Sequence, residues 1–369
     1  MRFELIHRGG FAALVFATLS CSLVAQVESG YNFRLDEPIP VKNQNGQDLL
    51  LVGMQGNLVS FSFASMPDAE ASIPVEEDPQ LRFIFEYPDN FADIQSNVLN
   101  GNYERALLQI RNPPIELLRF LVVPEEKCNF HLYTEIYYRS LVHAGTPEVA
   151  LQATRAIPWK SKNVPPSFVD HANTLLNRMV ASGEVSTTSE LLDILQTNLP
   201  IKQFSSIALP IADQLRLIGK NEIAENIYTA LSQSSDPEVR KLGQMWMAYN
   251  LANTGRVDEA KKLFEQIGEV TQESPLFAVF CLAQGRLALS EENTTQALRF
   301  LARAMVRTTI ADSYKPEIYF LMIKSYMIDG NIVPATRLAK EMAVFYPTNM
   351  WRESVIESYP EITEKTLEL

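Results

Sequence analysis

The chain has 369 residues, 46% of them apolar, and a formal net charge of -12 at pH 7. That much apolar matter supports a packed core, so disorder throughout is excluded. The acidic balance sets nucleic acid aside as an expected partner, because binding phosphates needs clustered cations.

Arg2 and Arg8 precede an apolar run from Phe11 to Val24, and small residues follow. The run is too short to span a bilayer and its flank is cationic, which predicts a secretory signal peptide over 1–25, cleaved near Ala25. Loss of Arg2, Arg8 and Glu4 takes the charge from -12 to about -13. The expected location is periplasmic or extracellular. Cys21 offers a lipoprotein alternative, but Leu19 stands one place too close to it for a good acylation signal. Membrane contact is expected only through lipidation at Cys21.

A linker is expected over 26–37 and a β-rich module over 38–89. Val59, Phe61 and Phe63 alternate with Leu58, Ser60 and Ser62, and Leu81, Phe83, Phe85 and Tyr87 alternate with Arg82, Ile84 and Glu86. Both stretches read as half-buried strands. Asn45-Gly46 and Gln55-Gly56-Asn57 have the character of hairpin turns. The expectation is a small antiparallel module of four or five strands, a partly open barrel of the SH3-like kind. Ala64 to Ser72 is expected as a flexible loop, and the acidic run Val75–Pro79 as a solvated one.

From residue 90 the period changes. Gly101, Gly145, Gly219, Gly255 and Gly330 are each followed five residues later by an alanine: Ala106, Ala150, Ala224, Ala260 and Ala335. Gly183 leads to Thr188, and Glu292 takes the glycine's place before Ala297. From Ala150 onward these positions are 38, 36, 36, 37 and 38 residues apart. Such a period marks a stacked array of supersecondary units. A glycine can close one helix in a left-handed conformation, and the small residue lets the next helix approach. A larger side chain follows four places on in Ile110, Leu192, Tyr228, Phe264 and Leu301, whereas Thr154 and Ala339 depart from this. Thr146 is expected to cap a helix that opens on Pro147, and Pro237, Pro275 and Pro316 to open first helices.

On these residues, and best over 205–347 where Tyr319, Tyr326, Gly330, Ala335 and Pro347 fit the spaced consensus, the chain resembles the tetratricopeptide repeat family. Pentatricopeptide and Sel1-like arrays are the neighbouring readings; the acidic charge argues against the first, and a missing glycine and tryptophan pattern against the second. The resemblance implies a mainly α protein, a right-handed α-solenoid of six to seven hairpins over 90–350. An acidic tail or cap is expected over 351–369.

It also implies a concave groove lined by first helices, which would take a protein or peptide partner. The residue six places before each turn would point into it: Arg139, Asn177, Asp213, Tyr249, Arg286 and Lys324. All six are polar or amphipathic, the pattern of an exposed face. Ten places before lie Glu135, Asn173, Leu209, Met245, Leu282 and Phe320, with Trp246 and Asn253 nearby. Arg286 and Lys324 beside apolar surface suit an acidic or amphipathic segment.

The sequence contains no HExxH, GxSxG, phosphate-cradling glycine loop or paired CxxC. Cys128 and His131, with His143 twelve residues on, are at most half of a zinc site, since structural zinc wants four ligands. Cys128 and Cys281 are expected as separate buried thiols. The reading is a non-catalytic adaptor with no metal, cofactor or small-molecule substrate. The alternatives are an enzyme or enzyme accessory with a site where the β module meets the repeats, or a lipoprotein tether.

Overall fold

The computed structural model describes residues 31–74, 82–110 and 115–363. The expected signal peptide, Cys21 and the run Val75–Pro79 lie outside them. The chain forms two compact units, 1–175 and 176–369.

The first unit opens on four antiparallel strands in sequence order: β1 (Tyr31–Lys42), β2 (Asp48–Gly56), β3 (Leu58–Phe63) and β4 (Met66–Pro74). Both expected hairpin turns are present. At the first, the Asn43 side-chain oxygen accepts from the backbone N–H groups of Asn45 and Gln47 at 2.9 and 3.0 Å. Arg34 on one edge strand donates to Glu70 on the other at 2.9 Å, so the sheet curls until its edge side chains meet. β3 is buried on both faces, where one buried face was expected; Ser60 and Ser62 lie among the core residues, and the Ser60 hydroxyl bonds that of Ser72 at 2.9 Å.

Three expectations are corrected here. The strand begins at Tyr31, inside the stretch expected as a linker. The expected loop Ala64 to Ser72 is mostly β4, a polar edge strand whose order comes from pairing with β3. Of the stretch expected as a strand from Leu81 to Tyr87, Leu81 lies outside the described residues, and 82–87 form single bridges, from Ile84 to Lys42 and from Phe83 to Cys128, as they connect the sheet to the helices.

The helices of the first unit are α1 (Phe91–Leu99), α2 (Tyr103–Gln109), the short α3 (Ile115–Leu118), α4 (Phe130–Ala144), α5 (Pro147–Ala156) and α6 (Ser167–Ala181), in which the unit boundary falls. The second unit continues with α7 (Val185–Asn198), α8 (Ile201–Leu217), α9 (Asn221–Ser232), α10 (Pro237–Asn253), α11 (Val257–Ile267), α12 (Phe277–Ser290), α13 (Thr294–Arg307), α14 (Lys315–Ile328) and α15 (Ile332–Phe345). Two short helices follow, α16 (Met350–Ser358) and α17 (Pro360–Thr363), and Val355 and Ile362 join the core of the last hairpin as a cap.

This is a helical-hairpin repeat fold preceded by a small antiparallel sheet. The register explains it. Ala106, Ala150, Thr188, Ala224, Ala260, Ala297 and Ala335 all have 0% of their surface exposed, each buried where its helix begins. Gly255 ends α10 at a φ of 82°, and Glu292 adopts 60° at the equivalent turn, a conformation that favours glycine. Gly145 differs, with a φ of -74°; a Cβ there would meet Leu141 at 2.9 Å, so close approach rather than a left-handed turn requires glycine. Thr146 stands at the cap position of α5 but its side chain makes no capping bond. Asp236 does cap α10, accepting from Glu238 and Val239 ahead of Pro237. Where Thr154 replaces a large residue, its hydroxyl lies 2.8 Å from that of Tyr138, which supplies the missing bulk from the preceding helix.

Candidate functional site

In the second unit the first helices of four successive hairpins, α8, α10, α12 and α14, curve tightly enough for the first to touch the fourth. Arg216 of α8 donates to both carboxylate oxygens of Glu317 of α14, at 2.5 and 2.8 Å, across 101 residues of sequence. Both side chains are 2% exposed. The Tyr249 hydroxyl of α10 donates to the same carboxylate. The guanidinium lies 4.6 Å from the centre of the Tyr249 ring, 5.7 Å from that of Trp246 and 5.8 Å from that of Trp351, so it is packed among aromatic rings.

Burial alone would loosen the proton on Arg216, but Glu317 overrides it and holds the guanidinium charged well above its ordinary range. Burial raises the Tyr249 phenol, with Glu317 adding to it. Asp213, one turn before Arg216 and 20% exposed, is pushed up to about 6 by burial against the pull of Arg216. Glu317 accepts from two partners and is sealed from solvent, so the trio forms a clasp between repeats.

This corrects the expected exposed groove. Met245, Trp246 and Tyr249 are 0%, 3% and 1% exposed, and Leu282 is 0%. Arg139, Asn177, Asp213, Asn253, Arg286, Phe320 and Lys324 are half-buried, as are Glu135, Asn173 and Leu209. The cause is curvature, since neighbouring first helices satisfy one another. Gln214 donates to Asn177 at 2.9 Å, and the Phe320 ring packs 5.0 Å from Trp351. In the first unit Arg139 donates to the Tyr103 hydroxyl at 3.3 Å, and His171, 3.9 Å away, holds the Glu135 carboxyl below its ordinary range.

Two expected groove residues keep an unsatisfied character. Arg286 of α12 donates to the Asn253 carbonyl at 3.4 Å, while its Nε is buried without a partner. Burial lowers the Lys324 ammonium on α14, and Arg286 lowers it further. No described carboxylate lies within ion-pair distance of either. The arrangement is therefore two half-buried like charges on adjacent first helices.

Sequence reasoning did not find Arg216, Glu317 or Trp351. Its available signal was the lone acid in the apolar run Pro316 to Ile323, and the arginine one turn from Asp213.

The remaining candidates sit in packed places. His131 bonds the Val123 carbonyl at 2.8 Å, and Cys128 lies 3.6 Å from the Pro124 carbonyl, so the half-site of the sequence is spent on backbone. His143 stacks on Tyr103 at 4.0 Å beside an open cavity of about 470 Å³. Burial pushes the Cys128 thiol up to about 12 and the Cys281 thiol up to about 11, and neither is in a disulfide. Where the sheet meets the helices of its own unit, the expected place for an enzyme site, Phe85, Tyr87, Phe91 and Tyr133 pack together, with Tyr87 4.2 Å from Phe91 and 5.7 Å from Tyr133.

No protein-family model and no curated protein matches the chain. Among solved structures it is similar to one described as a circular tandem repeat protein with novel repeat topology and enhanced subunit contact surfaces, at 12% identity and a TM-score of 0.18. The alignment covers 74% of this chain, and the chain spans 64% of the length of that protein.

Proposed function

We propose that the chain is a non-catalytic, exported adaptor of tetratricopeptide-like hairpins that holds an acidic segment of a protein partner against Arg286 and Lys324. The observation that carries this reading is the pair of half-buried cations without a carboxylate among the described residues. Holding like charges together away from water costs free energy, and a carboxylate bound between them recovers it. Arg216 in the same unit lies beside Glu317; Arg286 and Lys324 leave that place for a partner.

The clasp supports the reading from another side. By fixing α8 against α14 it holds the intervening helices in one curvature, so the binding face is preorganised and little ordering entropy opposes a ligand. The signal-peptide character of 1–25 supports a location outside the cytoplasm, where bacterial envelope assembly or secretion suits a repeat scaffold by analogy of fold.

The test is a photo-crosslinking residue at position 324 or 286 in cells, with the crosslinked peptide identified by mass spectrometry. One acidic protein segment, weakened at least about a hundredfold by Arg286→Glu with Lys324→Glu, supports the proposal. Crosslinks no different from those of a position on the outer face would end it. Intact mass of the processed protein separates the tether alternative, since acylation leaves Cys21 as the first residue and adds a lipid mass.

A further inference from the structure

The negative charge of the chain is unevenly spread. Helix α13 holds Arg299, Arg303 and Arg307 and no carboxylate. Helix α15 holds Arg337 and Lys340 against Glu341 alone, and Glu341 accepts the Tyr319 hydroxyl at 2.6 Å. Five cations thus face one carboxylate on two helices of a chain whose net charge is -12.

The repeat register aligns them. Arg299 and Arg337 stand two places after the buried residues Ala297 and Ala335, and Val306 and Val344 stand nine places after. Seven residues make about two helical turns, so arginine and valine share one stripe on each helix. Met305 of α13 packs against the cluster that Tyr319 and Ile323 of α14 form with Ala335, Ala339 and Met342 of α15, so both helices turn their buried sides to one core. The Tyr346 hydroxyl donates to the Ile310 carbonyl at 3.3 Å and ties their ends together.

The apolar members of the stripe are exposed far beyond what folding needs. Val306 is 83% exposed and Val344 75%, with Ile310 and Phe345 beside them at 55% and 43%. Arg299, Arg303, Arg307 and Arg337 are exposed as well, with no carboxylate at ion-pair distance among the described residues.

We propose that this outer face of α13 and α15 docks on an anionic lipid surface. Cations attract the headgroups while the protruding aliphatic side chains enter the boundary with the acyl chains. A nucleic-acid backbone would neutralise the arginines but leave two valines, an isoleucine and a phenylalanine in water. The mode needs no acyl chain at Cys21, and it uses neither Arg286 nor Lys324, so it stands or falls apart from the adaptor reading.

The test is co-sedimentation of the chain from Gln26 onward, which keeps every described element, with vesicles of phosphatidylcholine alone or mixed with phosphatidylglycerol. Binding is expected only to the mixed vesicles, and it is expected to fall as salt is raised. At about 1 kcal/mol for each cation, Arg299→Gln, Arg303→Gln and Arg337→Gln together are expected to weaken it on the order of a hundredfold. Val306→Ser with Val344→Ser should weaken it while leaving the salt dependence in place. These sites are exposed, so an unchanged melting temperature shows that each variant folds. No binding to mixed vesicles, equal binding to both kinds, or binding that survives the arginine substitutions would overturn the proposal.

Discussion

Arg216→Met removes one partner of an ion pair whose side chains are each 2% exposed. The Glu317 carboxylate would then stay buried with only the Tyr249 hydroxyl to stabilise its charge. Breaking a buried pair in this way costs about 3–5 kcal/mol, a large share of the ~5–15 kcal/mol that holds an ordinary domain folded. Lys261→Ala breaks the surface pair with Glu291, where the side chains are 47% and 36% exposed, and is expected to cost about 1 kcal/mol or less. Urea unfolding followed by tryptophan fluorescence suits the comparison, because Trp246 and Trp351 both flank Arg216. Hydrogen exchange of α8 and α14 locates the loss in the second unit. Arg216→Met with Glu317→Leu removes both charges and is expected to recover at least half of the single variant's loss. A loss of about 1 kcal/mol or less for Arg216→Met, or a double variant that shows the sum of the two single losses, would refute the clasp.

Glu292→Gly is expected to raise stability by about 1 kcal/mol, since Glu292 holds a φ of 60° at the turn where the other repeats use glycine, and a calorimetric melting curve reads it. Asp213 has a folded-state pKa of about 6 against an ordinary 3.8, so the folded chain holds that proton more tightly. Its contribution is therefore fully present below the ordinary value and is lost as the pH rises to about 6. Asp213→Asn should gain roughly 2–3 kcal/mol at neutral pH relative to acid, seen as a flatter stability profile in urea titrations. Cys128 and Cys281 are buried thiols with raised pKa values, so a water-soluble disulfide reagent should label neither in the native chain from Gln26 onward and both in urea.

The hairpins were legible because each is specified locally. A turn residue, a buried small residue five places on and a larger one four places later fix a helix pair without reference to the rest of the chain, which is why Ala260 and Phe264 could be assigned from NTGRVDEAKKLF alone. How tightly successive pairs wind is a sum of small rotations between repeats, and that sum decides whether Tyr249 faces water or Glu317. No window of sequence joins Arg216 to Glu317, so a local reading cannot find the clasp and predicts an open groove from its neighbours. The four-stranded antiparallel module was legible as well, but two stretches within it were not, for a related reason. Met66 to Pro74 has poor strand propensity and becomes β4 only through its partner β3, whereas Leu81 to Tyr87 alternates like a strand but its described residues, 82–87, form single bridges to Lys42 and Cys128. Arg286 and Lys324, expected on an exposed inner face, are half-buried.

The most direct test of the adaptor reading is the crosslink from position 324 in living cells, repeated with Arg286→Glu. A single acidic segment captured by the parent and lost from a variant with an unchanged melting temperature is the result this account predicts. Capture that is equal in both, or that maps to no acidic segment, would contradict it.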